Sequence, residues 1–137
     1  MQTLDLTSFE KAIKSLEEAL NEVTIDNRSF IKDSVIQRFE YTYELCIKML
    51  KRYLEVSEHS SENIDGMTFQ TLIRSANEKG LLKGDLTKWL DYRGRRNITS
   101  HTYDGDKADA IISIVPDFYD EAVYFLSELK KKAKDLC

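Results

Sequence analysis

The stretch SFIKDSVIQRFEYTYELCIKMLKRYLEV, residues 29–56, decides the fold. Its apolar side chains recur every three or four residues, which is the period of an α-helix. They form two adjacent stripes, Val35, Phe39, Thr42, Cys46, Met49 and Tyr53 in one and Ile36, Glu40, Tyr43, Ile47, Leu50 and Leu54 in the other. A helix that is apolar over so much of its circumference is expected at the centre of a helical bundle.

Other helices are predicted on both sides of this central one. Periodic apolar residues predict the first helix from about Thr7 to Val23 and the last from about Lys107 to Leu136. Pro116 lies inside the last helix and should break or kink it, because proline lacks an N–H and clashes with the preceding turn. Thr68 and Asp85 are predicted to cap two shorter helices, and Gly80 to end the first of them in a left-handed conformation.

These patterns predict an all-α protein, an antiparallel up-and-down bundle of four to five helices that forms one domain over residues 1–137. Charged residues make up 32% of the chain and the net charge is −4, which argues against a general polyanion binder. No apolar run approaches the length of a membrane span, so we expect no membrane contact. The chain opens without a recognisable secretory signal, and its two cysteines predict no disulfide framework, so a reducing cytoplasm is expected.

A polar segment, RGRRNITSHTYD at residues 93–104, interrupts the helical scaffold. The inward stripe of the helix that leads into it is predicted to be Leu86, Trp89, Leu90, Arg93, Arg96 and Asn97. Asn97 and the β-branched residues after it predict that the helix ends nearby. His101 would then lie in a turn, free to fold back toward Arg96, and Tyr103 would point the same way as His101 if the segment is extended.

Arg96 and His101 together suit phosphodiester chemistry. A guanidinium binds phosphate through paired hydrogen bonds, and an imidazole exchanges a proton near neutral pH. No metal is needed if the nucleophile is a ribose 2′-hydroxyl, and Asp104 and Asp106 lack the partners of a dedicated metal site. No cofactor is predicted. A structural interpretation remains open, because arginines at a helix C-terminus satisfy free carbonyls and a histidine in a turn is often structural.

Glu40 is the charged residue inside the second stripe of the central helix. A charge at an inward position needs a partner, since an unpaired buried charge is costly. Either Glu40 pairs with an inward arginine such as Arg93 or Arg96, or it lies at the edge of the stripe and reaches water.

The segment Arg96–Tyr103 reads Arg, a polar residue, three more residues, His, any residue, Tyr, and it resembles the signature of the HEPN superfamily. More narrowly, the chain is similar to nucleotidyltransferase substrate-binding proteins, whose relatives include toxins of HEPN/minimal nucleotidyltransferase toxin–antitoxin systems. Further matching stretches are residues 37–44, 76–82 and 116–118, and Trp89-Leu90 before the arginines. The likeness covers essentially the whole chain.

The resemblance implies a homodimer that associates with a separate cognate minimal nucleotidyltransferase. It implies metal-independent RNA cleavage in which Arg96 holds the scissile phosphate, His101 moves the proton and Asn97 orients one of them. It also implies that the partner silences the protein by adding AMP to Tyr103. The chain is not itself a nucleotidyltransferase, because it lacks a Gly-Ser followed by Asp-x-Asp on a strand.

Substrate binding is expected to involve Arg93 and Arg95, with Glu40 beside one of the arginines. Two main functions stay open at this point: a ribonuclease toxin, and a non-catalytic subunit that binds RNA or a nucleotide and presents it to the transferase. A purely structural assembly subunit is the third possibility. The negative net charge favours the binding subunit, because RNA binding relies on neutralising phosphates, whereas a dimer would concentrate the arginines of two chains.

Overall fold

The computed structural model describes residues 4–58, 64 and 66–136, and these ranges are entirely helical with connecting turns. Five α-helices are present in them: α1 (Thr7–Ile25), α2 (Ser29–Glu58), α3 (Phe69–Glu78), α4 (Leu86–Asn97) and α5 (Gly105–Leu136). One 3₁₀ turn, Thr99–His101, joins α4 to α5. The all-α prediction is confirmed, while Cys137 lies outside the described residues.

Helices α1, α2, α4 and α5 form an up-and-down bundle. Contacts between helices run in opposite residue order for α1 with α2, for α1 with α5 and for α4 with α5, so each of these pairs is antiparallel. Between α1 and α2, Ala12 contacts Thr42 and Ser15 contacts Arg38. Between α1 and α5, Phe9 contacts Phe125 and Glu17 contacts Tyr119. Between α4 and α5, Trp89 contacts Glu121 and Arg95 contacts Ala110. The short helix α3 packs beside α2 and α4.

Helix α2 is central, as its two apolar stripes predict. It contacts each of the other four helices and the 3₁₀ turn. All six residues of the first stripe are buried, and only Glu40 and Ile47 of the second stripe are partly exposed. Burying an aliphatic or aromatic side chain contributes about 1.5–3 kcal/mol, so this helix carries much of the stability of the bundle. No helix in the described part of the chain is both long and apolar enough to cross a bilayer.

The predicted helix ends are present. The Thr68 side chain accepts a hydrogen bond from the Thr71 N–H at 3.2 Å, and the Asp85 side chain accepts one from the Lys88 N–H at 3.1 Å. Gly80 has a φ of +73°, a left-handed conformation that a side chain would strain. These local signals fix where α3 and α4 start and where α3 stops.

Pro116 does not break α5. The helix continues without interruption from Gly105 to Leu136, so of the predicted break or kink the break is wrong. Its neighbours Val115 and Phe118 are fully buried, and this packing holds the helix together although the proline cannot donate to the carbonyl one turn earlier.

The inward face of α4 also differs from the prediction. Leu90 is 42% exposed, whereas Tyr92 is buried with Trp89. The buried face of α4 is therefore rotated from the predicted one by less than a full helical turn, so that it includes Tyr92. The Tyr92 ring packs edge-on against Phe118 at a centroid distance of 5.3 Å, so an aromatic residue with a polar end takes the core position expected for leucine.

Candidate functional site

The site begins where α4 ends. Beyond Asn97 the chain makes a single 3₁₀ turn, Thr99–His101, as the β-branched residues predict. The Thr99 hydroxyl bonds the Glu40 carboxylate on α2 and lies 2.9 Å from the Arg96 carbonyl oxygen. Thr99 is buried, so its hydroxyl anchors this turn to the central helix.

His101 and Tyr103 are neighbours on the exposed side of this turn. The Tyr103 hydroxyl oxygen lies 3.5 Å from Nδ1 of His101, and the two rings meet edge-on with centroids 6.0 Å apart. Tyr103 is 84% exposed. The segment is a turn and not extended, but the two side chains still point the same way. A proton-exchanging group and a nucleophilic hydroxyl are therefore presented together to solvent.

Arg96 is held by Glu44 of α2. Its Nε donates to the Glu44 carboxylate at 2.7 Å, and Nη2 donates to the same oxygen. These hydrogen bonds raise the pKa of Arg96, and the nearby charge of Glu40 acts in the same direction. The pair fixes the plane of the guanidinium, and within the described part of the chain it leaves the Nη1 group available for a ligand.

Glu40 does not make the expected ion pair with an arginine. In the ranges that the structure describes, its carboxylate receives the Thr99 hydroxyl, and Glu44 one turn later takes Arg96. Glu40 therefore supports the turn that carries His101. Glu44 stands at the end of the stretch 37–44 that matches the family, but the sequence alone did not distinguish it from Glu40.

The other two arginines of the segment differ in environment. Arg95 donates to Asp91 at 3.1 Å and to the Ala110 carbonyl at 2.5 Å, so its guanidinium ties α4 to α5. Arg93 is exposed, and its guanidinium carbon lies 4.7 Å above the centre of the Phe69 ring in a cation–π contact.

A cavity of about 300 Å³ lies between α2, α3 and α4. Arg93, Arg96 and Asn97 line it from α4, together with Tyr43, Glu44 and Lys51 from α2. Arg95, His101 and Tyr103 are not part of the lining. Arg96 thus lines the open cavity, and the exposed His101–Tyr103 pair follows it in the chain without contributing to the lining.

Two acidic residues of α5 that the sequence did not identify hold the first part of α4, which leads to the site. Glu121 is 3% exposed and accepts hydrogen bonds from the Trp89 indole at 2.8 Å and the Gly84 N–H at 3.0 Å. A buried tryptophan needs an acceptor for its N–H, which is the signal that points to such a carboxylate. Glu121 therefore fixes the first turns of α4 against α5.

Asp117, in turn, accepts hydrogen bonds from Lys88 at 2.9 Å and from the Tyr92 hydroxyl at 2.7 Å. The Lys88 hydrogen bond, followed by that of Tyr92, lowers the pKa of Asp117, and the same contact with Asp117 raises the pKa of Lys88. Burial raises the pKa of Tyr92, so it donates as a neutral phenol. These contacts brace the helix that presents Arg96. Among the described residues no cluster of three or more His, Cys, Asp or Glu side chains could hold a metal ion.

The sequence model of a family described as "Nucleotidyltransferase substrate binding protein like" matches residues 4–131. The chain belongs to this nucleotidyltransferase substrate-binding family. It is 36% identical over 138 residues to a Haemophilus influenzae protein named "Probable ribonuclease HepT", with 94% of each chain covered.

Two solved structures resemble this family member. One, from Haemophilus influenzae, is described as showing the fold of a substrate binding domain of a nucleotidyltransferase. It has a TM-score of 0.86 and 35% identity and covers 92% of this chain and 99% of its own. The other is a Thermus thermophilus protein with a TM-score of 0.71 and 33% identity, covering 88% and 98%. The bundle is therefore shared along nearly the full length of these proteins.

Proposed function

We propose that the protein is a metal-independent endoribonuclease toxin that a separate nucleotidyltransferase silences. One observation carries the proposal: His101 and Tyr103 lie side by side and exposed, on the fastened turn that directly follows Arg96. The similarity to a protein named as a probable ribonuclease supports the reaction class. The similarity to a substrate binding domain of a nucleotidyltransferase supports the kind of partner.

Arg96 holds the scissile phosphodiester of RNA in this mechanism. Its guanidinium is oriented by Glu44, and its remaining N–H groups donate to the non-bridging phosphate oxygens. Charge builds on these oxygens as the phosphorus becomes five-coordinate, so a fixed cation stabilises the transition state more than the bound substrate. Asn97, the last residue of α4, helps to orient the phosphate or the imidazole.

His101 moves the proton. It accepts the proton of the ribose 2′-hydroxyl as that oxygen attacks phosphorus and the bond from phosphorus to the 5′-oxygen breaks. The leaving 5′-oxygen takes a proton from water, and the protonated imidazole returns its proton to the hydroxide that remains. The products are a 2′,3′-cyclic phosphate and a free 5′-hydroxyl. The nucleophile belongs to the substrate itself, so this sequence of steps is complete without a bound metal.

Tyr103 is the silencing site. The partner transferase transfers AMP from ATP to the phenolic oxygen, forming a phosphodiester and releasing pyrophosphate, while the phenolic proton passes to solvent. The Tyr103 oxygen lies 3.5 Å from the His101 ring, so a bulky anion attached to it covers the imidazole and competes for Arg96. The high exposure of Tyr103 lets a folded partner reach it.

A homodimer completes the proposed active form. The monomer has a net charge of −4, and RNA binding depends on neutralising phosphates. In a dimer, the Arg93 and Arg96 side chains of both copies would lie near one RNA strand and supply twice the positive charge that one copy supplies.

The direct test is RNA cleavage by the purified chain in the presence of EDTA. Mass spectrometry must first show Tyr103 without AMP. We expect cleavage products that end in a 2′,3′-cyclic phosphate and a 5′-hydroxyl, at a rate that EDTA leaves unchanged. An unmodified wild-type protein that cuts none of several structured and single-stranded RNAs would contradict the proposal and favour the non-catalytic binding subunit.

Glu40→Ala is expected to lower the free energy of unfolding by about 1–2 kcal/mol and to slow RNA cleavage about tenfold. The change removes the carboxylate that holds Thr99, so the turn carrying His101 loses its anchor. Urea unfolding and cleavage assays measure the two effects, and Glu55→Ala on the same helix is the matched control. Because Thr99→Val removes the other partner, the double variant should lose little more than either single variant. Fully additive losses would show that the two side chains do not act together.

A further inference from the structure

The cavity between α2, α3 and α4 has an apolar wall and a charged rim. Ile47, Met67, Phe69 and Leu72 supply the wall, and they come from α2, α3 and the turn that precedes α3. Its volume of about 300 Å³ is at the small end of the range for ligand pockets, about 300–1,000 Å³. This combination suits a small, flat ligand that also carries charge.

The charge around the cavity is positive, although the whole chain is negative. Lys51, Arg93 and Arg96 face one carboxylate, Glu44, which Arg96 already engages. In the described ranges, neither Lys51 nor Arg93 has a carboxylate within ion-pair distance. The described part of the chain thus places two cations beside one pocket without pairing either of them to a carboxylate, which favours an anionic ligand.

Two neutral polar groups complete the lining. Tyr43 is 6% exposed, and in the part of the chain that the structure describes its hydroxyl makes no hydrogen bond. Burial raises the pKa of Tyr43 to about 12, so its hydroxyl remains a donor at neutral pH. The amide of Asn97 offers both a donor and an acceptor. Polar groups at fixed positions opposite an apolar wall orient a ring that is bound between them.

Arg93 is held beside the apolar wall, where it can bind a phosphate. Its guanidinium carbon lies 4.7 Å above the centre of the Phe69 ring and, among the described residues, its charge is not neutralised. Arginine planes and aromatic rings are the surfaces on which proteins stack unpaired bases of RNA, while lysine and arginine charges hold the phosphate.

We infer that this cavity binds one nucleotide unit of an RNA strand, with its base against the apolar wall and its phosphate at Lys51 and Arg93. The adjoining phosphate of the strand then reaches Arg96, which belongs to both the cavity and the cleavage motif. The inference rests on the proposed function only in assigning the scissile phosphate to Arg96. It adds Lys51 as a phosphate contact, and Phe69 and Tyr43 as residues that decide which nucleotide stands next to the cut.

The test is an NMR titration of the ¹⁵N-labelled protein with the four ribonucleoside 5′-monophosphates, each compared with its nucleoside and with inorganic phosphate. We expect the nucleotides to shift the Asn97 side-chain amide and to bind more tightly than either fragment. Lys51→Ala and Arg93→Ala should each weaken binding about tenfold or more, because each loses a charged contact. Arg52→Ala is the matched control, since Arg52 is exposed and its charge acts on Asp5 at the start of the chain. Unchanged affinity in both cavity variants, or no binding of any nucleotide, would overturn the inference.

A competition experiment separates a nucleotide in a strand from a free nucleotide. His101→Ala protein loaded with the best monophosphate is titrated with a short oligoribonucleotide, which this variant should not cut. Displacement of the monophosphate supports a substrate subsite, whereas simultaneous binding of both would overturn it in favour of a separate site for a free nucleotide. Displacement by RNA together with an inactive wild type would leave the subsite intact and contradict only the cleavage proposal.

Discussion

Replacing His101 by alanine is expected to lower the rate of RNA cleavage by at least about 100-fold, because a positioned general acid or base typically contributes about 10²–10⁴-fold. The side chain is exposed on the 3₁₀ turn, and in the described ranges its side-chain contact is with Tyr103, so its removal should leave the fold unchanged. The measurement is the cleavage rate in EDTA under single-turnover conditions, with substrate affinity determined separately.

Thr102→Ala is the matched control, since it removes a side chain from the same turn between His101 and Tyr103. It should cleave RNA at close to the wild-type rate. Arg96→Ala should lose a comparable amount of activity, and the double variant little more than either, because residues that act as one unit are not additive. Wild-type cleavage by His101→Ala would remove this residue from the mechanism, whatever the behaviour of Arg96→Ala.

Trp89→Ala is expected to lower the free energy of unfolding by about 3–5 kcal/mol, the usual cost of removing a large buried aromatic side chain. Trp89 is completely buried and packs against Tyr43, Tyr92 and Phe118. Its loss also removes a hydrogen-bond donor from the buried Glu121 carboxylate. For a domain of this size we expect the melting temperature to fall by about 10–20 °C. Calorimetry or urea unfolding measures the change.

Leu90→Ala is the matched control on the next residue of α4. Leu90 is 42% exposed, so its truncation should cost no more than about 0.5 kcal/mol. A loss of about 2 kcal/mol or more for Leu90→Ala would mean that Leu90 is buried together with Trp89, as the sequence stripe first suggested. Trp89→Phe separates most of the two contributions, because it keeps much of the ring packing and removes the donor to Glu121.

The sequence was sufficient for the features that are local. Thr68, Asp85 and Gly80 act on the backbone within a few residues of themselves, so their helix ends were predictable. The long helix α2 was recognisable as central because its two apolar stripes must be buried on several sides. The turn with His101 followed from the β-branched residues after Asn97.

What the sequence left open depends on how one helix is placed against another. Glu40 and Glu44 are one turn apart on the same side of α2, and only the register of α2 against α4 decides which of them meets Arg96. The choice between Leu90 and Tyr92 likewise depends on a small rotation of α4, which a three-and-four spacing does not fix. In both cases the spacing of apolar residues identified the inward face of the helix, and the packing between helices decided which residue of that face makes the contact.

The uninterrupted helix at Pro116 has a similar origin. Proline in a helix interior costs about 3 kcal/mol, which would break an isolated helix. In α5 the flanking residues Val115 and Phe118 are fully buried, and their burial offsets that cost. Helix propensity describes an isolated helix, whereas packing in the bundle supplies the free energy that keeps α5 continuous at the proline.

The single tryptophan of the chain also serves as a built-in optical reporter. Its indole is shielded from water and hydrogen-bonded in the folded protein, so exposure on unfolding should shift its fluorescence to longer wavelength. The signal reports on the contact between α4 and α5, and α4 leads directly into the segment that contains Arg96 and His101. A variant altered at Arg96 or His101 that loses RNA cleavage but keeps the emission of the wild type has therefore kept the contact between α4 and α5, so its defect lies in the chemistry of the site.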